Sequence, residues 1–510
     1  MNRLKQISES AERWGLTTLS TCVLLLWMGP AVRSPDGMEM LRLSASWLSA
    51  DASVGDPAFW PPLWPLLNVP TVYLGISVEG ARLVNLLCWG LLVWPMHLLA
   101  TCLGGRHAGR IAVVLYLLLP TISSVGTVMD ARPLGALITT GVAAAAVAAA
   151  KGYGGWRWML VLAALAPLAR PEGVLLPLIA GVVLWLLGRP WWQGLLGGLG
   201  ALVPHVVFSN AIRGLTGHEQ LFAPWYGTWS TWDLLSLFGP ASVPTEFRRF
   251  ALAAVESGAV QSQPKIDDAL SVLATVPGGI VGGLPILAGA LGVIGVVAII
   301  RGFWLVLPQQ RRWVCLGVTL LPFLAVAGAP MAGGQGSPMA NFLFLLPGFI
   351  ALAAVGLSSV APSWPRWVPV AASVLMVVEA HITPLSEPSP HFIEGSYAAD
   401  LAIEMLQRSP PNNGVVAVDF SGRDVVLGAG LQTVALGPPW AGPVPDEAGA
   451  ILISSVGGSG EDGGRTLELL ENPAWRVQWV VGDEDMATAA GLTPQRERWD
   501  RGWYALLVRR

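Results

Sequence analysis

Apolar runs of about 17–25 residues recur through the first three quarters of this chain, separated by short polar connections. A run of that length fits across a bilayer as a helix, the one open-chain form that satisfies its own backbone polar groups in hydrocarbon. The runs lie near 15–32, 80–103, 110–125, 133–150, 157–170, 173–188, 193–211, 277–300, 313–328, 341–360 and 367–382. They predict a mainly α, polytopic membrane protein of about eleven transmembrane helices. Composition agrees: charged residues make up 12% of the 510 positions, about half the share in a soluble domain.

The connections alternate in sign. Every second one is short and basic: Arg106 with Arg110, Lys151 with Arg157, Arg189, Arg301 with Arg311 and Arg312, and Arg366. The others hold the carboxylates Asp36, Glu39, Asp51, Asp56, Asp130, Glu172, Asp233, Glu246, Asp267 and Asp268. Lys and Arg collect on the cytoplasmic side, so the N-terminus is expected inside and the acidic loops outside. This is a multi-pass protein of a plasma membrane, of the bacterial inner-membrane kind. A cleaved signal peptide ending near Ala31 is the competing reading of the N-terminus. Tryptophan is common, 24 against 6 Tyr, and many flank the runs as interfacial anchors. The small-residue stretches at 141–150 and 194–200 read as places of close helix packing.

Past Thr383 the pattern changes. Pro384, Pro388 and Pro390 mark a linker, and an amphipathic helix is expected over Ser396–Gln407. Strand-like runs follow at 415–418, 432–436, 450–454, 477–481 and 503–508, with a second helix over 464–470. From His381 on, nine Arg and no Lys face 17 Asp and Glu, a net of −8 that leaves +5 on residues 1–380. The expected organisation is a transmembrane domain over 1–382, with outer loops at 33–79 and 212–270, and a soluble, extracytoplasmic α/β domain over 383–510. No basic domain or stripe favours nucleic acid. Cys22, Cys88, Cys102 and Cys315 lie in or beside apolar runs without metal-like spacing.

Four charged breaks fall on the acidic side. Asp36 and Glu39 follow the first run, three apart, so a helix there would put them on one face. Asp130-Ala131-Arg132-Pro133 opens the fourth run, Arg170-Pro171-Glu172-Gly173 splits two others, and His205 sits late in the seventh. Each has a structural reading. Asp36 caps a helix beginning near Gly37, Asp130 and Arg132 form an interfacial pair, Arg170 and Glu172 hold a helix break, and His205 packs. Charges at these depths are costly, however, and four on one face suggest a shared purpose. Trp60 and Trp64 in the first outer loop could stack on a sugar.

The order of these elements resembles the GT-C glycosyltransferases, which use lipid-linked sugars. The residues that carry the resemblance are Asp36 after the first run, Phe59-Trp60-Pro61-Pro62-Leu63-Trp64, Asp130, Arg170-Pro171-Glu172-Gly173, and a late element at Asn341-Phe342-Leu343-Phe344-Leu345-Leu346-Pro347. Two positions depart from the family pattern. Gly37 stands where a second carboxylate is expected, and Ala340 or Asn341 where a base is expected.

The resemblance implies transfer of a sugar from a polyprenyl-phosphate donor to a lipid, glycan or protein acceptor. Asp36 would be the base, with Glu39 and Asp130 as further catalytic carboxylates. Arg132 and Arg170 would hold the departing phosphate, and Glu172, Trp60, Trp64 and His205 would line the substrate site. A divalent cation shared by Asp36, Asp130 and His205 is a further option. The alternatives are a GT-C-like scaffold without activity and a polytopic transporter of a lipid or sugar.

Overall fold

The computed structural model describes residues 2–27, 35–49, 61–119, 129, 131–216, 290–306, 317, 345–359, 367–382, 396–418, 425–426, 429–435, 444, 448–454, 472–481 and 504–509. The chain divides into two compact units. One holds 1–30, 56–244 and 263–386; the other holds 31–55, 245–262 and 387–510.

The first unit is helical. In chain order it contains α1 (Asn2–Trp27), α3 (Leu63–Tyr73), α4 (Ser77–Gly104), α5 (Arg106–Leu118), α6 (Arg132–Ala150), α7 (Trp156–Ala169), α8 (Leu175–Leu186), α9 (Trp191–Thr216), α10 (Ala290–Val306), α11 (Leu346–Ser358) and α12 (Trp367–Ile382); α2 (Pro35–Ser49) belongs to the second unit. Among the described residues, α4 and α6 are long and apolar enough to cross a membrane; α7, α8, α10 and α11 are shorter apolar helices. The predicted break between the fifth and sixth runs is present. Helix α7 ends at Ala169, a 3₁₀ turn covers Pro171–Val174, and α8 starts at Leu175.

Small residues let these helices meet backbone to backbone. A methyl added at Gly181 on α8 would lie 2.6 Å from the Gly194 carbonyl oxygen on α9, and one at Gly198 would lie 3.0 Å from that of Pro177. These pairs run in opposite chain directions, so α8 and α9 are antiparallel, as a short connection requires. The stretch 194–200 is thus the packing surface expected from its composition. Gly356 on α11 meets α10 in the same way, 2.0 Å from the Ala298 carbonyl oxygen after the same addition. Helices α6 and α7 are antiparallel too: Gly155 abuts the Ala145 carbonyl near one end, and Gly141 abuts Leu162 further along.

Several of the basic connections lie close to one another or to the N-terminal helix. Glu12 on α1 accepts hydrogen bonds from Arg106 and Arg110, each at 2.7 Å. Gly104 faces Val355 near the end of α11, and Arg301 donates to the Ser359 carbonyl at 3.0 Å. Arg157 and Arg189, from two different basic connections, both lie over the Trp156 ring.

The second unit contains a five-stranded sheet. Its strands are β1 (Val415–Val418), β2 (Gln432–Ala435), β3 (Ala450–Ser454), β4 (Trp475–Val481) and β5 (Tyr504–Arg509), in spatial order β2-β1-β3-β5-β4. β1 is parallel to β2 and β3, whereas β5 is antiparallel to β3 and β4. Alternation sets the two faces. Val416, Val418, Leu452 and Leu506 join Ala402, Ile403 and Leu406 of α13 (Ser396–Arg408) in one core. Ala417, Ile451, Ile453, Ala505 and Leu507 form the core on the other face. The helix and all five strands expected here are present, with shifts of one or two residues at some ends. The expected second helix, at 464–470, lies outside the described residues.

Candidate active site

Proline and glycine build the break at Arg170. A residue before proline is pushed out of the helical region, and Arg170 is extended, with φ −151° and ψ 145°. Its amide still closes the last turn of α7 on the Ala166 carbonyl, and its own carbonyl accepts from the Gly173 amide, both at 3.0 Å. The returning 3₁₀ turn presses onto the end of α7. A methyl on Gly173 would lie 2.2 Å from the Ala166 carbonyl oxygen, closer than any side chain permits.

This geometry sends the Arg170 side chain across to α6. Its Cδ occupies the notch left by Gly135, 2.6 Å from where a methyl would stand. Gly135 is one turn into α6, and Arg132 opens that helix, preceded by Ala131, which has no side-chain acceptor to cap it. Pro133 fixes the first-turn backbone without an amide hydrogen. The two arginines singled out in the sequence therefore stand at the same, N-terminal end of α6. Both are half-buried, and both have interaction partners. Asp130, between buried Met129 and Ala131, lies outside the described residues.

His205 is 2% exposed on α9. It is 14 residues from Trp191, about 21 Å along the helix. Arg170 is 13 residues from Arg157 on α7, whose Leu160 meets Gly197 of α9. His205 is therefore at about the same height as the arginine mouth, and it is buried among neighbours with which it interacts.

The acidic pair after the first run is on a helix. α2 starts at Pro35, so Asp36 is inside the first turn and not at the cap expected from a helix beginning near Gly37. Its backbone position suits an anion at a helix N-terminus. Glu39 follows one turn later, so the two Cα positions share a side of α2. The side chains of Asp36, Glu39 and Glu172 are not described, and Trp60 and residues 341–344 of the late element lie outside the described residues.

Trp64 has a different role from the one its loop position suggested. It is fully buried on α3, and its indole N–H donates to Asn85 Oδ1 on α4 at 2.8 Å. Asn68 Nδ2 donates to the Trp64 carbonyl at 2.9 Å. A ring enclosed on both faces has none to offer a sugar, so Trp64 docks the outer-loop helix. Sequence reasoning also missed the pairing of Glu12 with Arg106 and Arg110, and nothing local signals it. Hydrogen bonds from Arg110, opposed by slight burial and helped by the charges of both arginines, hold the Glu12 carboxyl below its usual range. Among the described residues no three of His, Cys, Asp and Glu gather as metal ligands.

A helical body with a break at Arg170 and a small mixed sheet make up a fold shared with solved glycosyltransferase structures. The likeness to solved structures is one of fold. The chain is similar to ArnT from Cupriavidus metallidurans in the apo state, with TM-score 0.57 and 14% identity over 98% of each chain. ArnT bound to undecaprenyl phosphate gives 0.54 and 15%, covering 96% of this chain and 97% of that one. The oligosaccharyltransferase AglB from Archaeoglobus fulgidus, in complex with an inhibitory peptide and a dolichol-phosphate, gives 0.51 and 12%, covering 88% and 70%. No family model and no curated sequence matches.

Proposed function

We propose that this chain is a membrane glycosyltransferase, moving a sugar from a polyprenyl-phosphate donor to a lipid, glycan or protein acceptor on the extracytoplasmic face. The observation that carries the reading is the Arg170 stem in the Gly135 notch, which puts two arginines at the N-terminal end of α6. Guanidinium matches phosphate as a fork, and a helix N-terminus adds oriented amides. The fold likeness supports the donor class, since ArnT was solved with undecaprenyl phosphate and AglB with a dolichol-phosphate.

In this mechanism Asp36 takes the proton from the acceptor hydroxyl or amine as that atom attacks the anomeric carbon. The bond from that carbon to the phosphate oxygen breaks, and the polyprenyl phosphate leaves with the electron pair. Arg132 and Arg170 stabilise the charge on the leaving phosphate. Glu39 and Asp130 orient the acceptor, Glu172 positions Arg170, Trp60 offers a ring to the sugar, and His205 supports the mouth from α9. Trp64 acts only by docking α3. A divalent cation held by Asp36, Asp130 and His205 would supply charge neutralisation, but buried His205 is a poor third ligand and no step is assigned to the ion. In this reading the N-terminus is cytoplasmic, the membrane is of the bacterial inner-membrane kind, and a separable α/β domain over 383–510 lies outside.

Asp36→Asn tests the assignment with a polyprenyl-phosphate sugar as donor. Turnover should fall by at least about a hundredfold, the low end of what a general base provides, with insertion and abundance unchanged. In the first turn Asn loses only a charge–dipole contribution of about 0.3–1 kcal/mol, so a merely structural Asp36 would leave turnover nearly intact and end its role as base. Donor binding with no turnover by the unmodified chain would favour a scaffold, and donor movement without hydrolysis or transfer would favour a transporter.

A further inference from the structure

We propose a second lipid site at the opposite end of these helices, where an anionic phospholipid lays an acyl chain between α8 and α9 and rests its phosphate on Arg157 and Arg189. A groove of about 300 Å³ runs between the two helices. Its floor is the backbone of Gly181, Gly194 and Gly198, and Trp185, Trp191 and Leu195 stand along it. These three side chains are about half exposed or more, so the groove opens outward from the helices. Its lining is almost wholly apolar, which suits a hydrocarbon chain and no polar ligand.

One end of the groove is charged. Arg189 occupies the turn between Trp185 and Trp191, with its guanidinium 5.3 Å from the centre of the Trp156 ring; that of Arg157 is at 5.4 Å from the same ring. Both guanidiniums are thus drawn to a single indole, whose electron-rich faces attract cations. Both arginines are exposed, and among the described residues neither is paired with a carboxylate. Tyr153 and Trp158 are about two-thirds exposed nearby in sequence, as aromatic residues are at the headgroup level. A phosphate diester with a net negative charge completes this arrangement, whereas a zwitterionic headgroup brings its own cation against the two arginines. The site is separate from the arginine mouth, because Arg157 and Arg170 stand at opposite ends of α7, about 20 Å apart.

Native mass spectrometry of the full chain, released from detergent after incubation with dioleoyl phosphatidylglycerol or dioleoyl phosphatidylcholine, tests this. The glycerol lipid should remain bound and the choline lipid should not. Exchanging both arginines (R157Q with R189Q) should lower its retention roughly twenty-five-fold, about fivefold per lost guanidinium. V182W, which fills the groove from an exposed wall, should lower retention with both arginines present. R170Q should leave retention unchanged, and millimolar inorganic phosphate should not displace the lipid. Equal retention of the two lipids, or full retention by the double variant or by V182W, would overturn the proposal. So would loss of the adduct in R170Q, which would put the lipid in the mouth, or displacement by phosphate, which would make the arginines a simple anion site.

Discussion

Helices α6 to α9 carry a pair of arginines at each end, and the two pairs are held by different means. At the mouth, the Arg170 stem lies in a glycine notch against α6, and Arg132 belongs to the first turn of the same helix. At the other end, Arg157 and Arg189 rest on the exposed side of Trp156. A notch in backbone limits the rotamers of the stem and fixes where the guanidinium points. That is preorganisation, the property a transition state rewards. An indole face attracts a cation but leaves its direction soft, which suits retention of a headgroup. In the proposed function the same residue type serves geometry at one end of these helices and attraction at the other.

The difference can be broken most sharply at Arg170. Arg170→Gln should reduce transfer by about a hundredfold, or about 2.7 kcal/mol in the barrier, in a lipid-linked donor assay. An equal loss from Arg189→Gln would erase the distinction between the ends. Next is the turn that aims Arg170. Gly173→Ala forces a methyl into the Ala166 carbonyl and should lower stability by about 2–3 kcal/mol, seen as an earlier thermal transition in detergent.

Trp64→Phe sharpens the view that α3 is docked and not exposed to substrate. It leaves buried Asn85 without the indole donor and should lower stability by about 1–2 kcal/mol, with the KM for donor unchanged. A raised KM at unchanged stability would return Trp64 to the sugar site. The smallest effect is expected at Glu12, on the side of the basic connections. Its folded pKa lies below the ordinary glutamate value, so its contribution is complete above the ordinary value and is lost as pH falls through the folded one. Glu12→Gln should lower the melting temperature only slightly at pH 7, because partners this exposed form weak ion pairs, and the gap from the parent should close as pH falls through the lowered pKa of Glu12.

Much of this was readable in the chain because the deciding forces were local. β1 and β3 have the bounds their apolar runs predict, since a strand buried on both faces has little other composition to choose. The break at 170–173 was legible because proline before and glycine after leave few backbone choices. Trp64 was misread because an aromatic in a polar loop looks exposed until its partner, 21 positions later, is known. Glu12 escaped for the same reason, its partners being 94 and 98 positions away. The meaning of Gly135 was invisible too: a glycine in an Ala-rich helix reads as generic packing until the side chain that fills its notch is seen.

The hydrogen bond from Trp64 to Asn85 also bears on how the protein is made. The donor is in a short helix ahead of the second long apolar segment, and the acceptor is within that segment. During synthesis the short helix leaves the ribosome first and has nothing to hold until α4 has been made. Its docking therefore records the arrival of the following helix. A chain in which α4 fails to reach α3 would present an undocked indole and an unmet amide.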